Sequence, residues 1–227
     1  MNQALSFGLL LAGGVLLESA LTGSGLADVV QGKAGSIPTS GATIGGTAVG
    51  TPGVATVGAA IANAAGYVNP FAGASVKAER IDQGVDYAGT GNIGAIGAGV
   101  ITEVFPYGGG SGWPGGGYVE YKLLSGPQAG KLIYVAEGVR PTVVKGQSVK
   151  AGQIIATLVP GSSTGIETGL GSGAGTGTYA SQHGGYSEGE LTAAGQWFSN
   201  FLAQLGAAPG LVEGRSPVGT APSGSAF

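Results

Sequence analysis

Four short β-rich runs, each bounded by glycine or proline turns, set the first constraint on this chain. They are GVITEVF (99–105), GYVEYKLL (117–124), KLIYVAE (131–137) and QIIATLV (153–159). Runs of this length, rich in β-branched and aromatic residues and closed by turn residues, are the pattern of a compact all-β unit. In YVEYKLL, Val119, Tyr121 and Leu123 alternate with Glu120 and Lys122, which predicts a strand with one buried and one wet face. A mainly β core is therefore expected over residues 67–170.

The flanks differ in texture. Residues 4–17, ALSFGLLLAGGVLL, carry no charge and are followed by Glu18. Such a run is shorter than the roughly 20 apolar residues that span a bilayer. No Lys or Arg precedes it, as a secretory signal would require. Gly8, Ala12, Gly13 and Gly14 permit close approach of another helix. An apolar N-terminal helix is expected over 1–32, and three roles stay open for it: packing on partner subunits, entering a membrane through residues 4–30, or serving as a cleaved signal. Residues 33–66, rich in Gly, Ala and Thr, read as a low-complexity linker or arm. Residues 171–186 read as a glycine-rich loop and 207–227 as an irregular tail.

Between them, 187–206 reads as an amphipathic helix. Leu191, Ala194, Phe198, Phe201, Leu202 and Leu205 recur at spacings of three and four, and Trp197 widens the stripe. Ser187 and Glu190 have the spacing of a capping box, and Gly206 is the stop signal. A helix this short is marginal alone and must dock on the core or on a partner.

Composition bears on the partners. Glycine is 49 of 227 residues and charged residues are only 9%. So few charges leave little repulsion to hold the low-complexity arms apart in solution, so they are expected to lie along another surface, protein or membrane. The nine Lys and Arg are scattered and the formal net charge is −3, without the basic stripe that nucleic acid requires. With no cysteine, thiolate metal sites and a disulfide scaffold are excluded.

Three segments carry a family resemblance. RIDQGVDYAGTGNIGAIGAGVITEVF (80–105) resembles the opening of a lysostaphin-type (LytM-like) zinc endopeptidase domain, whose metal motif is His-x-Gly-x-Asp. KLIYVAEGVRPTVVKGQSVKAGQIIATL is similar to that family's Tyr-centred strand and the Gly-Gln repeat after it. STGIETGL falls where the family has Thr-Gly-x-His-x-His. The resemblance covers about residues 79–170 and implies a small barrel-sandwich-like β domain. RIDQGVDY, SGWPGGGYVEY, YVAEGVRP and GIETG together resemble a group of actinobacterial and actinophage proteins carrying a degenerate copy of this domain.

The family's catalytic set does not carry over. The three zinc-ligand positions read Asp82, Asp86 and Gly169, and the two further catalytic histidine positions read Glu167 and Ala136. Only Asp86 is retained, so no catalytic zinc, and no other cofactor, is expected. The chain's one histidine, His183, lies in the glycine-rich loop and is expected to be solvated. The resemblance brings Asp82, Asp86 and Glu167 together at the old metal site, with Glu137 near its rim. They are the candidate catalytic residues, with three uses left open. They can be structural, with Asp82 and Asp86 accepting turn hydrogen bonds and Glu167 pairing with Arg80 or Arg140. They can act on a sugar as acid and base. They can attract a hard cation such as Ca²⁺. Glu137 and Trp113 are the candidate binding residues; Trp113, in GGGSGWPGGG, either stacks on a ligand or folds back over the end of the barrel. GQSVKAGQ has the look of a biotinyl-carrier half-motif, but Lys145 and Lys150 are misplaced for attachment.

The resulting expectation is a non-enzymatic structural protein of a phage tail or virion, built on this degenerate domain and assembled with other subunits, itself included. The alternatives are a zinc-independent peptidoglycan or glycan hydrolase, and a membrane-anchored module of the cell envelope that binds peptidoglycan.

Overall fold

The computed structural model describes residues 65–184 and 187–224. The apolar helix expected over 1–32, its membrane contact through 4–30, and the linker up to residue 64 lie outside the described residues. Among the described residues no helix is long and apolar enough to cross a membrane.

The described part is mainly β. Its strands are β1 (Ala74–Ile81), β2 (Gly84–Gly94), β3 (Gly99–Phe105), β4 (Gly117–Leu123), β5 (Leu132–Glu137), β6 (Val139–Pro141), β7 (Ser148–Val149), β8 (Ile154–Leu158) and β9 (Ile166–Leu170). Two helices follow, α1 (Tyr179–Gln182) and α2 (Ala193–Gln204). The four predicted runs appear as β3, β4, β5 and β8. All the strands join one antiparallel sheet in the order β6-β8-β2-β9-β5-β4-β3-β7, with β1 paired to β2. β2 is the hinge of this arrangement: its first half pairs with β9 and its last residues pair with β8.

One face of the sheet closes over Ile93, Ile101, Tyr121, Leu123, Ile133 and Ile166, each at most 1% exposed. The alternation predicted for β4 holds for Val119, Tyr121, Leu123 and the exposed Lys122, but not for Glu120, which is buried. The far face of β4 is covered at this end by Tyr118, Tyr134 and Ala136, with Trp113 and Phe105 packed against them. Glu120 survives there because it accepts hydrogen bonds from Thr102 Oγ1 (2.8 Å), Gly173 N (3.4 Å) and Tyr118 Oη (3.5 Å).

The amphipathic helix is present but shorter than predicted. Ser187 and Glu190 do form a turn, with Ser187 N donating to Glu190 Oε2 at 3.1 Å. The helix itself starts at Ala193, capped by Thr192, whose hydroxyl accepts from Gly195 N at 2.9 Å. Thr192 wins because the same hydroxyl also donates to the backbone oxygen of Asp82 at 2.6 Å, which ties the helix start to the β1–β2 turn. The helix ends at Gln204 with Leu205 as its cap, and Gly206, the predicted stop signal, follows with φ +83°. Trp197, Phe198, Phe201 and Leu202 are buried, and the helix docks on β1, β2 and β9. Phe198→Ala should cost about 3–5 kcal/mol, the usual range for emptying a sealed aromatic site. A urea titration of the full chain checks this: the midpoint should fall with the slope unchanged.

Two further departures sit in the loop and tail. Within 171–184 the chain makes the one-turn helix α1, capped by Thr178. The tail is irregular but fastened: Leu211 N donates to Glu79 O at 2.6 Å, and Trp197 Nε1 donates to Gly224 O at 3.2 Å.

Candidate functional site

Strand register builds the site. Across β2, β9 and β5, Asp86 stands opposite Glu167, and Glu167 opposite Ala136. Two residues along, Gly84 stands opposite Gly169, and Gly169 opposite Tyr134. Residues directly opposed, and those two apart on one strand, share a face. Asp82 joins them from the β1–β2 turn, where its Oδ1 accepts from Gly84 N at 3.4 Å. Oxygens of Asp82, Asp86 and Glu167 lie within 4.8 Å of one another. The three candidate catalytic residues therefore do converge, and all three are buried.

Their partners are internal. The Arg80 guanidinium lies against Asp86 Oδ2 (2.7 Å) and Asp82 Oδ2 (3.3 Å), and also pairs with Glu188. Glu167 pairs with neither Arg80 nor Arg140. It accepts from the Tyr134 hydroxyl and, at 3.4 Å, from Gln83 Nε2. Gln83 is held in turn by Thr178 Oγ1, which donates to its Oε1 at 2.8 Å. Arg140 lies over the ring of Tyr107 instead, 4.9 Å from its centroid.

Burial and mutual repulsion raise the proton affinity of the carboxyls gathered around this one guanidinium. Burial, then the charge of Asp82, pushes the Asp86 carboxyl up to about 7 despite the pull of Arg80. Burial, then Asp86 and Asp82, pushes Glu137 up to about 8. Burial and Asp82 drive Glu167 well above the ordinary carboxylate range, and burial also raises Asp82.

Glu137 sits at the junction of β5 and β6 with φ +77°, the only non-glycine residue among those described in a region that favours glycine. It lines a groove of about 490 Å³ together with Asp86, Arg80, Pro114, Ser163 and Thr164. Asp82 and Glu167 lie behind that groove rather than along it.

The donors do not fit a catalytic zinc. Such sites keep three protein ligands, dominated by imidazole, and an open position. Here the set is carboxylate only, two of its members are already paired with Arg80, and Gly169 has no donor. A Cβ on Gly169 would stand 2.8 Å from Tyr134 Oη and 2.9 Å from Gly84 Cα, so the room a larger ligand would need is taken.

Trp113 is half-buried. Its ring lies 5.2 Å from that of Tyr134 and 6.3 Å from that of Tyr118, and its Nε1 donates to Thr176 O at 3.1 Å. It folds back over the sheet. His183 stacks on Tyr179 at 3.7 Å, and its Nδ1 lies 2.9 Å from Tyr179 O, away from the carboxylates.

No family model matches this chain, and no curated protein matches it. Among solved structures it is similar to the solution structure of lysostaphin, with 19% identity and a TM-score of 0.36. That match covers 47% of this chain and 48% of the other, so it spans about half of each.

Sequence reasoning missed four members of the site: Arg80 as the clamp on both aspartates, Tyr134 and Gln83 on Glu167, and Thr178 behind Gln83. Arg80, Gln83 and Tyr134 lie inside the quoted motifs, so their neighbourhood was visible but their pairing was not. Thr178 gives no signal of its own in a loop of small residues.

Proposed function

We propose that this chain is a non-catalytic relative of cell-wall peptidases, used as a structural β scaffold in a protein assembly such as a phage tail. The reading rests on the sequence resemblance and on one structural observation above all. The ground a third zinc ligand would occupy, at Gly169, is filled by the Tyr134 hydroxyl, which is bonded to Glu167. Supporting it, Arg80 supplies the positive charge that a metal would bring to Asp82 and Asp86. The tail and the helix cap, fastened to β1 and to the β1–β2 turn, make the site part of the packing.

The test uses the full chain, incubated with excess Zn²⁺, dialysed, and assayed for metal content and for release of amino groups from purified peptidoglycan. The expected result is far less than one zinc per chain and no amino groups above the buffer control. One zinc per chain with chelator-sensitive cleavage overturns the proposal.

A second reading, zinc-independent hydrolysis of a glycan, draws on Asp86 and Glu137. Both line the open groove with carboxyls raised to about 7 and about 8, in the range of a general acid near neutral pH. It requires that reducing sugar be released from cell-wall glycan and that Asp86→Asn abolish the release.

A further inference from the structure

The groove beside the buried carboxylates is lined by one buried acidic side chain for which the described residues supply no partner. Glu137 is 9% exposed; no hydrogen bond or ion pair to its carboxyl is found among the described residues, and its oxygens are not sealed from solvent, the buried unpartnered side-chain atom among those residues being Gln204 Oε1. Buried polar groups in folded proteins are nearly always partnered, so a largely buried carboxyl whose oxygens meet only the solvent of the groove is open to an incoming donor. Asp86, Asp82 and Glu167 differ from it in this respect, since each is held by Arg80, Tyr134 or Gln83. The groove lining holds five acidic side chains, Glu137 among them, against two cationic ones, so once Asp86 and Glu137 have ionised its field favours an incoming positive charge.

We propose that this groove binds a primary ammonium on an aliphatic stem, such as a lysine side chain of a peptide, with Glu137, once ionised, as the anion that receives it. An ammonium carries three donors on a compact head. Glu137 and the hydroxyls of Ser163 and Thr164, on the same wall system, are acceptors for them. Pro114 and Leu211, the latter 57% exposed, offer apolar surface to the stem, as amphipathic side chains use when their heads are held. A divalent metal suits the groove less well. Calcium takes six to eight oxygens, and the aspartate oxygens nearest to Glu137 already face the guanidinium of Arg80.

The inference goes beyond the scaffold reading, and its test reads binding rather than metal content or cleavage, so either can fail alone. The full chain is titrated at pH 8.5, where Glu137 is largely ionised and a lysine still carries its charge, with acetyl-Ala-Lys-Ala-amide, with the same peptide acetylated on the lysine Nζ, and with CaCl₂, each followed by calorimetry. The expected result is saturable binding of the free-lysine peptide in the millimolar range or tighter. The acetylated peptide and the Glu137→Gln variant should each bind at least about tenfold more weakly, a difference of about 1.4 kcal/mol. Thermal melting confirms that the variant is folded. Equal binding of the two peptides by the unaltered chain overturns the proposal, as does unchanged affinity in Glu137→Gln. So does calcium binding that Glu137→Gln removes, where the free-lysine peptide shows no saturation up to about 10 mM.

Discussion

The full chain should be markedly less stable at pH 8.5 than at pH 5.5, and Glu137→Gln should remove a large part of the difference. Asp86 and Glu137 have folded-state values of about 7 and about 8, both above those of unfolded carboxyls near 4. A carboxyl raised on folding binds its proton more tightly in the native state, so the unfolded state binds fewer protons as pH climbs. Its stabilising contribution is complete below about pH 4 and is lost as pH rises through about 7 for Asp86 and about 8 for Glu137. Asp82 and Glu167 are shifted in the same direction and reinforce the trend. A tenfold difference in proton affinity between the folded and unfolded chain is worth about 1.4 kcal/mol, but these groups titrate together, so the fall is assigned to the cluster. Between pH 5.5 and 8.5 it should amount to about 3–5 kcal/mol. Urea titrations at the two pH values measure it. Glu137→Gln should match the unaltered chain at pH 5.5 and exceed it at pH 8.5. A flat profile, or stability that rises with pH, would mean that the cluster is not buried as described.

The same cluster shows which parts of the molecule are legible in the sequence. β3, β4, β5 and β8 are readable because alternation and turn residues are local properties. Glu120 is not, because its burial depends on Thr102, Gly173 and an aromatic group folded over the opposite face. Asp82, Asp86 and Glu167 can be brought together only through the family resemblance. Nothing in their spacing says that β2 pairs with β9 in the register that sets Asp86 against Glu167. The partners are further out of reach. The β1–β2 pairing slips register between Ala78 and Ile81, and a bulge of this kind re-aims side chains, here leaving Arg80 against both aspartates. The helix start departs from its local signal for a related reason. Ser187 has the right chemistry for a cap, but Thr192 is also bonded to Asp82 across the fold, and that tertiary bond decides.

Replacing Arg80 by methionine should destabilise the chain in a strongly pH-dependent way. Removing one partner of a buried ion pair typically costs about 3–5 kcal/mol, because it strands the other charge. Arg80 is 40% exposed, so water replaces part of what it supplies, and the cost at high pH should be nearer about 2–3 kcal/mol. At low pH it should be smaller still. Asp86, already held near 7 with Arg80 beside it, moves higher once the guanidinium is gone and takes up a proton instead of standing alone as an anion. Asp82, with no exposed surface, responds in the same sense. Arg80→Met should therefore lose about 1 kcal/mol at pH 5 and about two to three times that at pH 8.5. A loss independent of pH would mean that Arg80 acts through the packing of its stem, and that the charge a metal would have brought to Asp82 and Asp86 is not what holds this end of the sheet together.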